Sequence, residues 1–299
     1  MRGAQRSMSF RLGLVAALAA VQALGQVDQP SLVVSTEWLQ SHLRDDSLVV
    51  LHVGSQKDYD AGHIPGARLV TLADISVTDP TGLRLEMPPV KALEEAFGRL
   101  GVNDAARVVV YAGTESVQSA TRVWFTLDYL GFGGRASLLD GGLAAWRTES
   151  RPLSTQTPPA VDRKFTARPA PERIVSAEWV KAHLNDPSVR LLDARTPEFY
   201  SGANAGGMPR AGHVPGARNV PFSSVLEADG KLKPAAVLRD MMTASGTQGA
   251  LAVAYCHIGQ QATVLYFVAR YLGLDARLYD GSFQDWSRQP ELPVEPLPH

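Results

Sequence analysis

Val34-Ser35-Thr36-Glu37-Trp38-Leu39-Gln40-Ser41-His42-Leu43 recurs as Val175-Ser176-Ala177-Glu178-Trp179-Val180-Lys181-Ala182-His183-Leu184, and that recurrence decides the fold. Two further blocks return in the same order. Ala61-Gly62-His63-Ile64-Pro65-Gly66-Ala67-Arg68 becomes Ala211-Gly212-His213-Val214-Pro215-Gly216-Ala217-Arg218, and Asp140-Gly141-Gly142 with Trp146 becomes Asp280-Gly281-Ser282 with Trp286. Ordered blocks at a near-constant offset mean a duplicated domain of roughly 120 to 140 residues. Between the copies, Pro152, Pro158, Pro159, Pro169 and Pro171 are too dense for helix or central strand, so residues 151–171 read as an extended linker. The domains are then 31–150 and 172–299. Trp38, Trp146, Trp179 and Trp286 recur in register and read as core, while Trp124 is matched by Tyr266. His63 and His213 invite a metal reading, but presence in both halves favours turn-holding hydrogen bonds, and no metal site is expected.

Within each copy, continuous β-branched runs alternate with amphipathic segments. Residues 48–53 and 107–111, and in the second copy 189–192 and 250–255, read as buried strands. Residues 90–100, 119–130 and 262–272 read as helices, the last two closed by Gly131 and Gly273. Alternation of strand and helix predicts an α/β fold, with a parallel sheet in each domain covered by helices on both faces. Ligands bind such sheets at the carboxyl ends of the strands.

The chain has 299 residues, 45% hydrophobic and 20% charged, with 29 basic and 30 acidic side chains and a formal charge of -1. That composition supports a globular core and no field that would gather nucleic acid. Residues 1–25 read as a secretory signal peptide: Arg2, Arg6 and Arg11 precede the apolar run from Leu12, and Ala23-Leu24-Gly25 offers a cleavage site. The expected location is the periplasm or outside the cell, with no membrane attachment once the leader is cut. The single cysteine, Cys256, excludes internal disulfides and multi-cysteine metal or iron–sulfur centres.

The copies differ where chemistry belongs. After Tyr111 the first continues Ala112-Gly113-Thr114-Glu115-Ser116, whereas after Tyr255 the second continues Cys256-His257-Ile258-Gly259-Gln260-Gln261. The lone thiol thus sits at a strand's carboxyl end, in a short loop entering a helix. Backbone N–H groups curled towards one point and a helix N-terminus both stabilise a thiolate, the nucleophilic form of sulfur. A buried structural thiol is the plain alternative; the polar neighbours His257, Gln260 and Gln261 speak for a site. A phosphatase of related fold would need Cys-x5-Arg, but the sixth residue after Cys256 is Ala262. A cysteine protease would need histidine and asparagine contexts that are not found.

The tandem Gly-His-x-Pro-Gly-Ala blocks, the Asp-Gly-Gly and Asp-Gly-Ser blocks and the Cys256 loop resemble the two-domain rhodanese family of thiosulfate and 3-mercaptopyruvate sulfurtransferases, over residues 31–296. The resemblance implies a catalytic C-terminal domain, an N-terminal domain that has lost its cysteine at Ala112, and an active loop of residues 256–261. It implies that Cys256 takes sulfur from an anionic donor as a persulfide and yields it to cyanide or a thiol, without a cofactor. Because Ile258 and Gly259 follow a basic-type position at His257, the loop is similar to those of thiosulfate users; mercaptopyruvate transfer, or a sulfur-carrier or binding module without turnover, are the alternatives. Where the family often has an arginine for the anion, this chain has Phe199. The expected substitutes are Arg210, which ends a glycine-rich insertion at 201–210, and secondarily Arg195 and His257, although Arg195 is equally readable as the structural partner of Asp193.

Overall fold

A computed structural model describes residues 31–114 and 116–296; the leader read at residues 1–25 lies outside them. Among the described residues no helix is long and apolar enough to cross a membrane. The first domain runs β1 (Val33–Val34), α1 (Thr36–His42), β2 (Leu48–Val53), α2 (Gln56–Asp60), β3 (Arg68–Val70), α3 (Leu72–Ile75), α4 (Val90–Arg99), β4 (Arg107–Ala112), α5 (Val117–Tyr129), β5 (Ala136–Leu139) and α6 (Gly142–Thr148). The second runs β6 (Ile174–Val175), α7 (Ala177–Ala182), β7 (Val189–Asp193), α8 (Pro197–Tyr200), β8 (Arg218–Asn219), α9 (Ala235–Ala244), β9 (Leu251–Tyr255), α10 (Ala262–Tyr271), β10 (Ala276–Tyr279) and α11 (Ser282–Trp286). Each domain holds one five-stranded sheet, ordered β1-β5-β4-β2-β3 and β6-β10-β9-β7-β8. All pairs are parallel. The two sheets share one topology, as the duplicated blocks require.

Each repeated block has a local physical job. Ser35 accepts a hydrogen bond from Trp38 N at 3.1 Å and Ser176 from Trp179 N at 3.3 Å, so the first block is a two-residue strand followed by a capped helix. In the second block His63 Nδ1 donates to Tyr59 O at 2.8 Å and His213 Nδ1 to Tyr200 O at 2.7 Å, each ring stacked on that tyrosine. The backbone N–H of Ile64 donates to the Tyr111 hydroxyl and that of Val214 to the Tyr255 hydroxyl. These are the turn-holding bonds expected of the duplicated histidines. Trp146 and Trp286 are fully buried, but Trp38 and Trp179 are only half-buried, stacked on His42 and His183 beneath the guanidinium groups of Arg107 and Arg277. Burying an indole between a ring and a cation at the surface replaces the core role expected for that pair.

Side chains alternate across each strand, so a strand buried on both faces feeds two cores. Along β4, Val108, Val110 and Ala112 enter one core while Val109 and Tyr111 enter another. Along β9 and the residue after it, Ala252, Ala254 and Cys256 face the first of these cores and Val253 and Tyr255 a third. That first core is continuous between the domains. Its seam is α5 against α10, where Trp124 meets Phe267 edge-on at 4.7 Å and Phe125 meets Tyr266 at 4.8 Å. Polar contacts lock the register: the Tyr266 hydroxyl donates to Asp128 at 2.6 Å, and the Thr121 and Thr263 hydroxyls lie 2.8 Å apart. The face of β9 that carries Cys256 is therefore the face that meets the other domain.

Candidate active site

Cys256 follows the last residue of β9 and is fully buried. Its amide donates to Ser282 Oγ at 3.1 Å, and that hydroxyl donates in turn to Tyr279 O at 2.9 Å. Ser282 holds this position with φ at 53°, where only glycine is unstrained, at a cost on the order of 1 kcal/mol. Its counterpart in the first copy is Gly142, opposite Ala112. The block comparison contained this signal, because the two departures from the repeat, cysteine for alanine and serine for glycine, meet in space. The next turn is tied down as well, with Phe283 N donating to Cys256 O at 3.0 Å and Gln284 N to His257 O at 2.9 Å.

Residues 256–261 bridge β9 and α10. Among the described residues the amides of His257, Ile258, Gly259, Gln260 and Gln261 donate to no backbone or side-chain acceptor. A loop of unclaimed donors ahead of a ten-residue helix is suited to negative charge on the sulfur or on a bound anion. Gly259 has φ at 80°, and a Cβ there would lie 2.7 Å from both Asp280 O and Asp280 Oδ1. Conformation and space both demand glycine.

The N-terminal domain builds the floor of this loop. Arg122, fully buried on α5, pairs with Asp280, which is 3% exposed, and donates to Leu85 O at 2.6 Å and Gly259 O at 3.3 Å. Gln260 Nε2 donates to Ser119 Oγ at 3.0 Å, and Thr263 Oγ1 donates to Gln260 O at 2.7 Å. Residue typing did not single out Arg122: an arginine in a helix reads as surface until its partner, 158 positions away, is known.

The expected anion contacts fare differently. Arg195 lies beside the site, its guanidinium 4.2 Å from the Phe283 ring centre, but it is engaged by both carboxylate oxygens of Asp193 and by Gly212 O. With Asp193 also accepting from Arg195 N at 2.9 Å, the two form a buried structural pair, the second of the two readings. Arg210 is a correction. Its Nε donates to Ser287 O at 3.0 Å, Nη1 to Leu292 O at 2.6 Å, and Nη2 to Trp286 O and Gln289 O, both at 2.7 Å. Carbonyls left open where α11 ends and the tail turns back demand donors, and they consume this guanidinium. The insertion reaches the loop through Gly206, where a Cβ would come within 3.2 Å of the His257 ring and 2.8 Å of Phe199.

His257 is packed edge-on against Phe199, ring centres 4.4 Å apart. Burial, and then the positive charge of Arg195, hold its imidazole down at about 4. It is therefore a neutral imidazole across the neutral range and presents no cation to an incoming anion. The KM for thiosulfate should accordingly stay level between about pH 6 and 8; initial rates across that range check this, and a steep climb would return the anion to a protonated His257. Ile258 and Gln261 are partly buried loop members, the Gln261 Oε1 being enclosed without a hydrogen-bond partner among the described residues.

The twin position in the first domain lacks the chemistry as well as the thiol. Strand register sets His52 opposite Tyr111 as it sets Asp193 opposite Tyr255, so the Asp193 carboxylate is replaced by an imidazole, bonded to the Tyr111 hydroxyl at 3.0 Å. Gly54 stands where Arg195 would be.

Known proteins sharpen the picture. Residues 35–149 and 176–289 each match the rhodanese-like domain. The chain is 31% identical over 280 residues to the sulfur carrier protein TtuD of Thermus thermophilus, covering 89% of this chain and 96% of that protein. It is 30% identical over 266 residues to the thiosulfate sulfurtransferase of Azotobacter vinelandii, covering 88% and 97%. Among solved structures, EanB in complex with ergothioneine superposes with a TM-score of 0.80 at 21% identity, covering 91% of this chain and 72% of that one, and YnjE with 0.79 at 22%, covering 89% and 69%; both similarities concern the fold. With both halves matched to one domain type and relatives at this identity aligned along nearly their whole length, the chain belongs to the rhodanese family as a tandem pair of rhodanese-like domains.

Proposed function

We propose that this protein is a thiosulfate sulfurtransferase acting through a persulfide on Cys256. The observation that carries the reading is the placement of the lone cysteine: at the carboxyl end of β9, in a loop whose amides from His257 to Gln261 are unclaimed, at a strand end where the first domain has alanine instead. In the first half-reaction the Cys256 thiolate attacks the outer sulfur of thiosulfate; the S–S bond of the donor breaks, sulfite leaves with the electron pair, and the enzyme holds Cys–S–S⁻. In the second, cyanide or a thiolate attacks the terminal sulfur, and the Cys256 thiolate is released. One covalent intermediate shared by two half-reactions gives ping-pong kinetics. The unclaimed amides offer neutral donors to the persulfide anion, and burial keeps water and oxidants from it. No general base is required, in keeping with an uncharged, partly buried His257.

Thiosulfate is expected to add about 32 Da, one sulfur, to the intact protein, and cyanide to remove it as thiocyanate. A protein that gains no mass from thiosulfate but gains it from 3-mercaptopyruvate reverses the donor assignment. The 31% identity to a protein named as a sulfur carrier favours one second reading, transfer to another protein's thiol. In that case thiosulfate loads Cys256 while cyanide discharges it only slowly.

A further inference from the structure

A cation would add to the loop amides in holding an anionic donor, and the three groups expected to supply one are engaged or uncharged. Arg195 is neutralised by Asp193, Arg210 is spent on the carbonyls of the C-terminal tail, and His257 is uncharged. The opposite wall of the site comes from the first domain. Residues 77–86 form a small hairpin closed by the Val77 and Glu86 backbone pair and turned by Asp79, whose carboxylate accepts from Thr81 N at 2.9 Å and Leu83 N at 2.8 Å. Its tip is clamped onto the second domain. Arg288 of the second domain donates to Thr81 O and Gly82 O, each at 3.1 Å, while Arg122 of the first domain donates to Leu85 O at 2.6 Å at the hairpin's base. Leu85 takes φ at 66° to present that carbonyl.

Arg84 is held most directly. The Gln284 side chain accepts from Arg84 N at 3.0 Å and donates to Arg84 O at 2.8 Å, while the backbone N–H of Gln284 donates to His257 O at 2.9 Å. One buried glutamine thus couples the main chain of Arg84 to that of the residue following Cys256. The Arg84 side chain is exposed, and among the described residues its guanidinium makes no hydrogen bond or ion pair. Its positive charge is the least of the causes that lower the His257 pKa, after burial and Arg195. A pinned backbone with an uncommitted guanidinium is what anion capture requires: the position is prepaid in structure, and the fork remains available for two parallel hydrogen bonds to an oxyanion.

We propose that Arg84, delivered across the domain boundary by the 77–86 hairpin, binds the oxyanion end of the sulfur donor at the Cys256 site, in place of the cation absent at Phe199. The proposal rests on the reading of the donor as an anion such as thiosulfate. It makes the cysteine-less N-terminal domain a contributor to substrate binding.

The test uses the full protein and the variants Arg84→Ala and Arg84→Lys. Because the side chain is exposed, both should melt with the wild type. Arg84→Ala should raise the KM for thiosulfate about tenfold, with Arg84→Lys recovering part of the loss. A second measurement does not involve sulfur transfer: the ratio of Cys256 alkylation rates by anionic iodoacetate and by neutral iodoacetamide should fall several-fold in Arg84→Ala. A raised KM with an unchanged ratio would mean a merely structural effect and overturn the proposal, as would an unchanged KM. If wild-type protein takes no sulfur from thiosulfate, the donor assignment fails by itself, and the alkylation ratio alone decides whether Arg84 places a cation at the sulfur.

Discussion

Arg122→Ala is expected to lower the unfolding free energy by about 3–5 kcal/mol, the range for removing one partner of a buried ion pair. The pair itself owes little to net Coulomb gain, since desolvating two charges offsets most of their attraction. The large effect comes from what is left behind. Asp280 is 3% exposed, and without Arg122 it is an uncompensated carboxylate in the seam between domains. Leu85 O and Gly259 O lose their donor in the same step, loosening the 77–86 hairpin and the Cys256 loop together. Urea denaturation of Arg122→Ala, Asp280→Asn and the double variant measures this. The double variant should lose less than the sum of the single ones by about 0.5–3 kcal/mol, because once one charge is gone the other has no pair to lose. Additive losses, or a loss under about 1 kcal/mol for Arg122→Ala, would show that the seam is held by α5 and α10 packing alone.

Cys256→Ser is expected to remove sulfur loading entirely and to reduce turnover with thiosulfate at least about a thousandfold, since the covalent intermediate has nowhere else to form. Residual loading of the variant, seen by intact mass, would refute the assignment of Cys256 as the carrier. The fold should survive the change. The first domain supplies the precedent, carrying Ala112 at the same strand end with 8% exposure beside the same tyrosine-to-turn hydrogen bond. Cys256→Ala therefore serves as the matched control, equally inactive and close to wild type in stability.

The fold was legible because its determinants are local and repeated. Residues 48–53, 107–111, 189–192 and 250–255 read as buried strands, and the structure has them within a residue, at 48–53, 107–112, 189–193 and 251–255. The helices from Val117 and Ala262 end at Gly131 and Gly273, whose φ values of 79° and 75° make them the left-handed caps that glycine implies. Helix α9, Ala235–Ala244, went unread because only Leu238 and Met242 mark its buried side and no polar cap announces its start. Cys256 was legible as well, since a difference between duplicated domains at a strand's carboxyl end needs no coordinates to be noticed. The sequence by itself thus determined two parallel α/β domains, the place of the lone cysteine and the loop that holds it. Tertiary structure alone decided which guanidinium groups are engaged and which is left uncommitted beside that loop among the described residues. Arg84, Arg122, Arg195 and Arg210 are chemically the same side chain, and nothing in their neighbours tells them apart. They were separated by acceptors brought from elsewhere in the chain: Asp280 for Arg122, tail carbonyls for Arg210, Asp193 and Gly212 for Arg195, and none among the described residues for Arg84. Hydrophobic periodicity is written along the chain at a spacing of two to four residues, whereas a guanidinium takes its role from whichever oxygens folding places within about 3 Å of it.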